Sequence, residues 1–168
     1  MTIRHAHPDD APALLVMGRE FFREAGHEAR GLQFDDASFA VTLGLLGRAE
    51  LLLVVERYGN VVGMGALDVA PAYWNRSVSL AQEVFWYLKP EHRVGHGGRV
   101  LRALERLAAA KGAITFTAVA EEGDRAHALG RLYRSTGYRL TETVYRKEIC
   151  APSAGAETTA GRAAQESH

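Results

Sequence analysis

The sequence predicts one α/β domain with a mixed sheet, in the order β-α-α-β-β-β-α-β-α-β, followed by a tail with no fixed structure. Three observations carry that expectation. Apolar residues switch along the chain between helical spacing and strand-like runs. Gly59-Asn60 separates two of the strand-like runs and marks a tight hairpin. A glycine-rich turn, Gly95-His96-Gly97-Gly98, joins the end of a strand-like run to the start of a helical one.

The elements follow in order. Ile3 centres a short first strand. Pro8, Asp9 and Asp10 open a helix, because proline suits its first position and acids suit its positive end. Leu14, Met17, Phe21 and Ala25 then repeat at helical spacing, and Gly26 stops them. A second helix runs from Asp35 or Asp36 to Gly47, with Phe39, Leu43 and Leu46 on its apolar side. Residues 51–57 and 61–69 read as strands around the hairpin. A third strand covers 77–88 and ends before Pro90. Gly97-Gly98 leads into a helix to Lys111 that turns Val100, Leu101, Leu104 and Leu107 inward, with Gly112 as its cap. Residues 114–119 form a strand, 126–136 a helix ended by Gly137, and 138–149 one or two further strands. The domain therefore spans 1–150. Residues 151–168 hold no aromatic or large aliphatic side chain, so they are expected to be disordered.

Composition narrows the function. The chain has 168 residues, 47% of them hydrophobic and 24% charged, which suits one ordinary core. Lys+Arg and Asp+Glu both number 20, so no nucleic-acid or anionic-membrane surface is expected. The single cysteine, Cys150, excludes an intramolecular disulfide framework and a multi-cysteine zinc site, and it suits a reducing cytoplasm. Apolar runs are too short to span a bilayer, and Met1-Thr2-Ile3-Arg4-His5 offers no signal core. His5 and His7 share a strand face without an acidic residue at ligand spacing, so no metal is expected. His92 reads as bounding a pocket and His127 as a surface residue. Glu121-Glu122-Gly123-Asp124 reads as an acidic loop or a lure for a cationic acceptor. Neither a G-x-S-x-G elbow nor a Ser-His-Asp order is present, which disfavours a hydrolase.

The stretch from Val84 to Leu101 is the most informative. A strand gives way to a glycine turn and then to a helix. Backbone N–H groups in such a turn converge on an anion, and the helix N-terminus adds roughly half a positive charge. Arg93 and Arg99 flank the turn as charged donors. The bland alternative is a helix start that needs glycine only for its turn. Neither G-x-x-x-x-G-K-[ST] nor G-x-G-x-x-G is present, so nucleoside triphosphates and dinucleotides fit poorly. Arg102 and Arg106 share a face with Arg99 and read as solvated.

Taken with the element order, this stretch resembles the GNAT superfamily of acetyl-CoA-dependent N-acetyltransferases. Arg93-Val94-Gly95-His96-Gly97-Gly98 is similar to that family's Q/R-x-x-G-x-G/A turn, with His96 where the first glycine is expected. Leu132-Tyr133-Arg134-Ser135-Thr136-Gly137-Tyr138 is similar to its L-Y-x-x-x-G-[FY] segment, and Ala126 stands where an asparagine is often found. The wording from Ala81 to Tyr87 also resembles acetyltransferase-like proteins of phages and prophages. The resemblance implies a mixed, mostly antiparallel central sheet flanked by helices, with acetyl-CoA as cosubstrate. It implies a diphosphate site on Arg93, Val94, Gly95, His96, Gly97, Gly98 and Arg99, and a pantetheine border made by Trp86, Tyr87 and Leu88.

Acetyl transfer to an amine sets three tasks, and the resemblance suggests a residue for each. Tyr133 would protonate the departing thiolate; the alternative is packing beside Leu129 and Leu132. Glu83 would take the amine proton, directly if buried or through water; the alternative is a solvated or arginine-paired strand glutamate. The backbone N–H of Leu88 would hold the thioester oxygen. Tyr138 is the nearby substitute for Tyr133. The expected reaction is direct attack in a ternary complex, with a small-molecule amine or a protein lysine as acceptor. A different class of reading is a catalytically weak or inactive acyl-CoA-binding module with a regulatory or phage-associated role. A third is a nucleotide-binding domain. Exposed sheet edges are compatible with a homodimer.

Overall fold

The computed structural model describes residues 1–120 and 126–147. Strands β1 (Thr2–His5), β2 (Leu52–Arg57), β3 (Asn60–Ala72), β4 (Asn75–Leu88) and β5 (Ala113–Thr117) form one sheet in sequence order. Pairing is antiparallel from β1 to β4 and parallel between β4 and β5. Helices α1 (Ala11–Glu24) and α2 (Asp36–Arg48) cover one face, and α3 (Gly97–Ala110) and α4 (Ala126–Ser135) pack on the other. The mixed, mostly antiparallel sheet flanked by helices is the architecture expected from sequence.

Both sheet faces are buried, which explains the unbroken apolar run in β2. Leu52 and Val54 pack with Leu14, Met17, Leu43, Met64, Phe85 and Tyr87 on the α1–α2 side. Leu53 and Val55 pack with Leu67, Trp86, Leu88, Leu101, Leu104 and Tyr133 on the α3–α4 side. At the N-terminus Pro8–Asp10 form a 3-10 turn before α1 starts. Asp10 accepts from Arg4 at 2.8 and 3.0 Å and from the His7 N–H at 2.7 Å, tying β1 to that turn. Asp35 caps α2 by accepting from the Ser38 N–H.

Three details differ from the sequence reading. The hairpin turn is centred on Tyr58-Gly59, not Gly59-Asn60: Asn60 already pairs with Arg57, and φ is +52° at Tyr58 and +76° at Gly59. Positive φ at both central residues is what a type I′ turn requires. The strand expected over 138–149 is absent from its described part: residues 139–147 expose their side chains and have no sheet partner among the described residues. Residues 148–149, Cys150, the tail 151–168 and the acidic run 121–124 lie outside the described residues.

The third detail shapes the site. Ala66 pairs with Phe85 but Leu67 pairs with Glu83, so Val84 is an extra residue in β4. Such a bulge reverses the alternation of side chains. Without it Glu83 would face α1 with Phe85 and Tyr87. With it Glu83 shares the α3–α4 face with Trp86 and Leu88, and reaches Tyr133 of α4.

Candidate active site

β4 and β5 pair only at Ser79–Ala113, Ala81–Phe116 and Gln82–Thr117, and then part. β4 runs on to Leu88 beside the gap. The Lys89 N–H donates to the Val62 carbonyl at 3.0 Å. In an antiparallel ladder this makes Leu88–Gly63 a non-hydrogen-bonded pair. The N–H and C=O of Leu88 therefore point away from β3 into the fork, and those of Trp86, two residues back, do the same.

On the β5 side of the fork, side chains replace the lost ladder. The Val119 N–H donates to Glu83 Oε2 at 3.1 Å, and the Tyr133 hydroxyl donates to the Val119 carbonyl at 2.9 Å. That hydroxyl also lies 3.3 Å from Glu83 Oε2 and accepts from Trp86 Nε1 at 3.1 Å. Tyr133 is buried. The two side chains expected to move protons, Glu83 and Tyr133, thus meet at the head of the fork. They also satisfy backbone groups there, as the packing alternative for Tyr133 expects. Tyr138 lies ring to ring with Tyr133 at 5.5 Å, and burial, with the nearby charge of Glu105, pushes its phenol pKa up.

A groove of about 330 Å3 continues from the fork to α3, lined by Trp86, Leu88, Arg93, Gly95, Gly97, Gly98, Ala128, Leu129 and Leu132. Its floor is the glycine turn. The His96 N–H donates to the Arg93 carbonyl at 3.1 Å, and Gly95 between them has φ +74°. A Cβ on Gly95 would meet nothing, so glycine is needed there for conformation. At Gly97 a Cβ would lie 2.8 Å from Leu132 Cδ2, so the tip of that leucine would have to turn aside. The N–H groups of Val94, Gly95, Gly97 and Gly98 have no hydrogen-bond partner among the described residues. They lie at the positive end of the fourteen-residue α3, where the sequence reading expects an anion.

The other expected binding residues are placed unevenly. His96 precedes α3 with φ −111° and ψ −19°, angles that need no glycine, and its ring does not line the groove, so it does not fill the cradle; its Nδ1 is buried without a partner. Val94 exposes its side chain and offers only its N–H. Arg99 is exposed and donates to the Met1 carbonyl. Tyr87 does not border the groove: by alternation it faces α1, with its hydroxyl 3.2 Å from both Glu20 Oε2 and Glu24 Oε1. Burial pushes its phenol pKa up, and the two carboxylates add to the effect. Arg93 lines the groove, but its guanidinium donates to the Leu88 carbonyl at 2.7 Å and to Glu24 at 2.8 and 2.7 Å. Glu24 and Val119 carried no signal in sequence. Gly63 did: a glycine inside a strand marks a close backbone approach.

The acetyltransferase (GNAT) family model matches residues 14–138. The chain belongs to the GNAT acetyltransferase family. No curated protein matches it in sequence. Among solved structures it is similar to the aminoglycoside antibiotic 6'-N-acetyltransferase AAC(6')-IG of Acinetobacter haemolyticus, at 16% identity and a TM-score of 0.68 over 90% of this chain and 100% of that one. It is also similar to the ribosomal-protein-alanine N-acetyltransferase of Brucella melitensis biovar Abortus 2308, at 14% identity and a TM-score of 0.67 over 89% and 100%. A predicted acetyltransferase from Clostridium acetobutylicum, solved with acetyl-CoA, matches at 18% identity and a TM-score of 0.65 over 88% and 95%. At these identities the likeness is one of fold. No helix among the described residues of this GNAT protein is long and apolar enough to cross a membrane.

Proposed function

We propose that the chain is an N-acetyltransferase that moves an acetyl group from acetyl-CoA to a primary amine by direct attack in a ternary complex. The observation that carries this reading is the open β4 edge beside the glycine turn. Trp86 directs its N–H and C=O, and Leu88 its N–H, into a fork of the sheet where they have no strand partner among the described residues, and unpartnered N–H groups wait at its mouth. An extended amide-bearing chain ending in a diphosphate fits both features, the first as an added strand and the second as an anion.

Acetyl-CoA supplies a thioester activated toward amines; this chain's residues handle position and protons. The Leu88 N–H, directed into the fork, would hold the thioester oxygen as it gains charge. Tyr133 holds a phenolic proton at neutral pH, and rotation of its hydroxyl away from the Val119 carbonyl would aim that proton at the thiolate. Glu83, beside it, takes the ammonium proton through a relaying water, since an ordinary carboxylate is too weak a base to do so directly. The acceptor is a small-molecule amine or a protein lysine.

The test is thiol release from acetyl-CoA across a panel of primary amines and lysine peptides. Wild-type protein should release thiol with at least one acceptor, and Tyr133→Phe should slow it by about 10²–10⁴-fold. No release with any acceptor, or full activity in the variant, would contradict the proposed chemistry.

A further inference from the structure

Trp86 lines the groove as expected, and its indole also reaches out of it. The bulge at Val84 turns it to the α3–α4 face together with Glu83. The tip of its ring, Cη2, lies 3.6 Å from where a Cβ of Gly97 would stand, beneath the glycine turn. Its polar edge, Nε1, donates to the Tyr133 hydroxyl at 3.1 Å, 47 residues along the chain on α4. An indole nitrogen is a donor only, so the direction of this bond is fixed. The Tyr133 oxygen accepts, and its single hydrogen must go elsewhere.

That hydrogen points to the Val119 carbonyl at 2.9 Å or to Glu83 Oε2 at 3.3 Å. Rotation about the C–O bond swings it between acceptors while the oxygen stays where Trp86 holds it. We propose that Trp86 is a positioning residue for proton transfer. Its N–H anchors the Tyr133 oxygen beside the groove and stabilises the phenolate left when the proton goes. This inference rests on the acetyl-CoA reading of the groove. As the C–S bond breaks, the proton passes from the Tyr133 oxygen to sulfur, and its electron pair stays on the phenolate. The Trp86 bond then becomes charge-assisted and roughly twice as strong, so it contributes more in the transition state than before it. The Glu83 carboxylate opposes that charge until it holds the proton taken from the amine. Glu83 can hand this proton to the phenolate, which restores both residues. An ammonium acceptor gives up two protons in all; sulfur keeps one and water takes the other.

The experiment removes the N–H in two ways. Trp86→Phe does so with a smaller ring. Trp86→3-benzothienylalanine does so with almost no change of shape, because sulfur replaces the N–H. The second is made in a Trp74→Phe background; Trp74, the only other tryptophan, is 64% exposed at the β3–β4 turn and outside the groove lining. Both should lower kcat for thiol release about 10–100-fold, the scale of one hydrogen bond to a charged group. The benzothienyl protein should keep the CoA Kd from calorimetry within about threefold of wild type. Trp86→Phe combined with Tyr133→Phe should be no slower than Tyr133→Phe alone, since both remove one unit. In the ligand-free Trp74→Phe protein the remaining indole N–H signal in NMR belongs to Trp86, and Tyr133→Phe should move it upfield and speed its exchange with solvent. Additive losses in the double variant, or a benzothienyl protein with full kcat, would overturn the proposal. So would a loss confined to the CoA Kd, the mark of a plain groove wall. If Trp86→Phe fails to fold, the benzothienyl protein decides. A wild-type protein that binds no CoA or releases no thiol ends the acetyl-transfer reading and this proposal with it, whereas an indole signal unmoved by Tyr133→Phe ends the proposal alone.

Discussion

Gly63 is the residue through which β3 controls the tip of β4. A Cβ there would lie 2.5 Å from Leu88 Cδ2, 2.8 Å from the Tyr87 carbonyl oxygen and 3.2 Å from Val55 Cβ. The Leu88 methyl can rotate away, but the Tyr87 oxygen belongs to the ladder and must retreat by roughly 0.6 Å to reach ordinary contact. Overpacking of this kind costs about 1–3 kcal/mol, and the reduced freedom of the unfolded chain returns part of it. Gly63→Ala should therefore lose about 1–2 kcal/mol in a urea titration and lower Tm by roughly 2–8 °C for a domain of this size. The same displacement moves the Leu88 N–H. A 1 Å misplacement can cost about 10²-fold in rate, so kcat should fall roughly tenfold. Gly65→Ala is the control, since its Cβ meets only side-chain atoms at 3.3–3.5 Å from Leu104 and Trp86. It should stay within about 1 kcal/mol of wild type and keep its kcat. A Gly63→Ala protein as stable and active as wild type would refute the idea that strand spacing at residue 63 sets the position of the Leu88 amide.

Other outcomes follow from particular contacts. The Arg4 hydrogen bonds hold the Asp10 carboxyl below the usual aspartate range against the opposing effect of burial, and the His7 N–H assists. A depressed folded pKa adds stability above the unfolded value, near ~3.9, that is lost as pH falls through the folded one. Asp10→Asn should thus cost about 1–3 kcal/mol at pH 7 and flatten the fall in stability below about pH 4, as read by urea titrations across pH. A Cβ on Gly18 would overlap the Phe39 ring, so Gly18→Ala should push α1 from α2 and lower the urea midpoint by the equivalent of about 1–3 kcal/mol. At Gly95, with φ +74° and open space around it, alanine should cost about 1–2 kcal/mol of turn strain. Relaxation of that turn would weaken CoA binding by about fivefold or more in calorimetry.

What the sequence disclosed was mostly local. Helical spacing in 14–25 and 97–111, the capping Asp35 and the glycine turn all depend on near neighbours, and they stand where expected. What it hid depends on pairing. The bulge at Val84 exists only relative to β3, so no periodicity within 77–88 could announce that Glu83 and Trp86 share a face. Simple alternation from Trp86 and Leu88 does put Tyr87 on the far side, where it meets Glu20 and Glu24; the resemblance treated 86–88 as one border and passed over that parity. The hairpin centre slipped by one because Tyr58, a costly residue at positive φ, takes a place usually read as Asn or Gly. The contact between Arg93 and Glu24 was hidden for the same reason, since Glu24 lies 69 residues away on α1.

The most direct measurement is thermal unfolding of the full chain with and without CoA, alongside ATP and NAD at equal concentration. If the cradle at residues 94–98 and the β4 edge hold the cosubstrate, CoA at about 100 times its Kd should add about 2.7 kcal/mol and raise Tm by roughly 5–11 °C, while ATP and NAD shift it far less. A Tm indifferent to millimolar CoA, or moved more by ATP or NAD, would contradict the assignment of that groove.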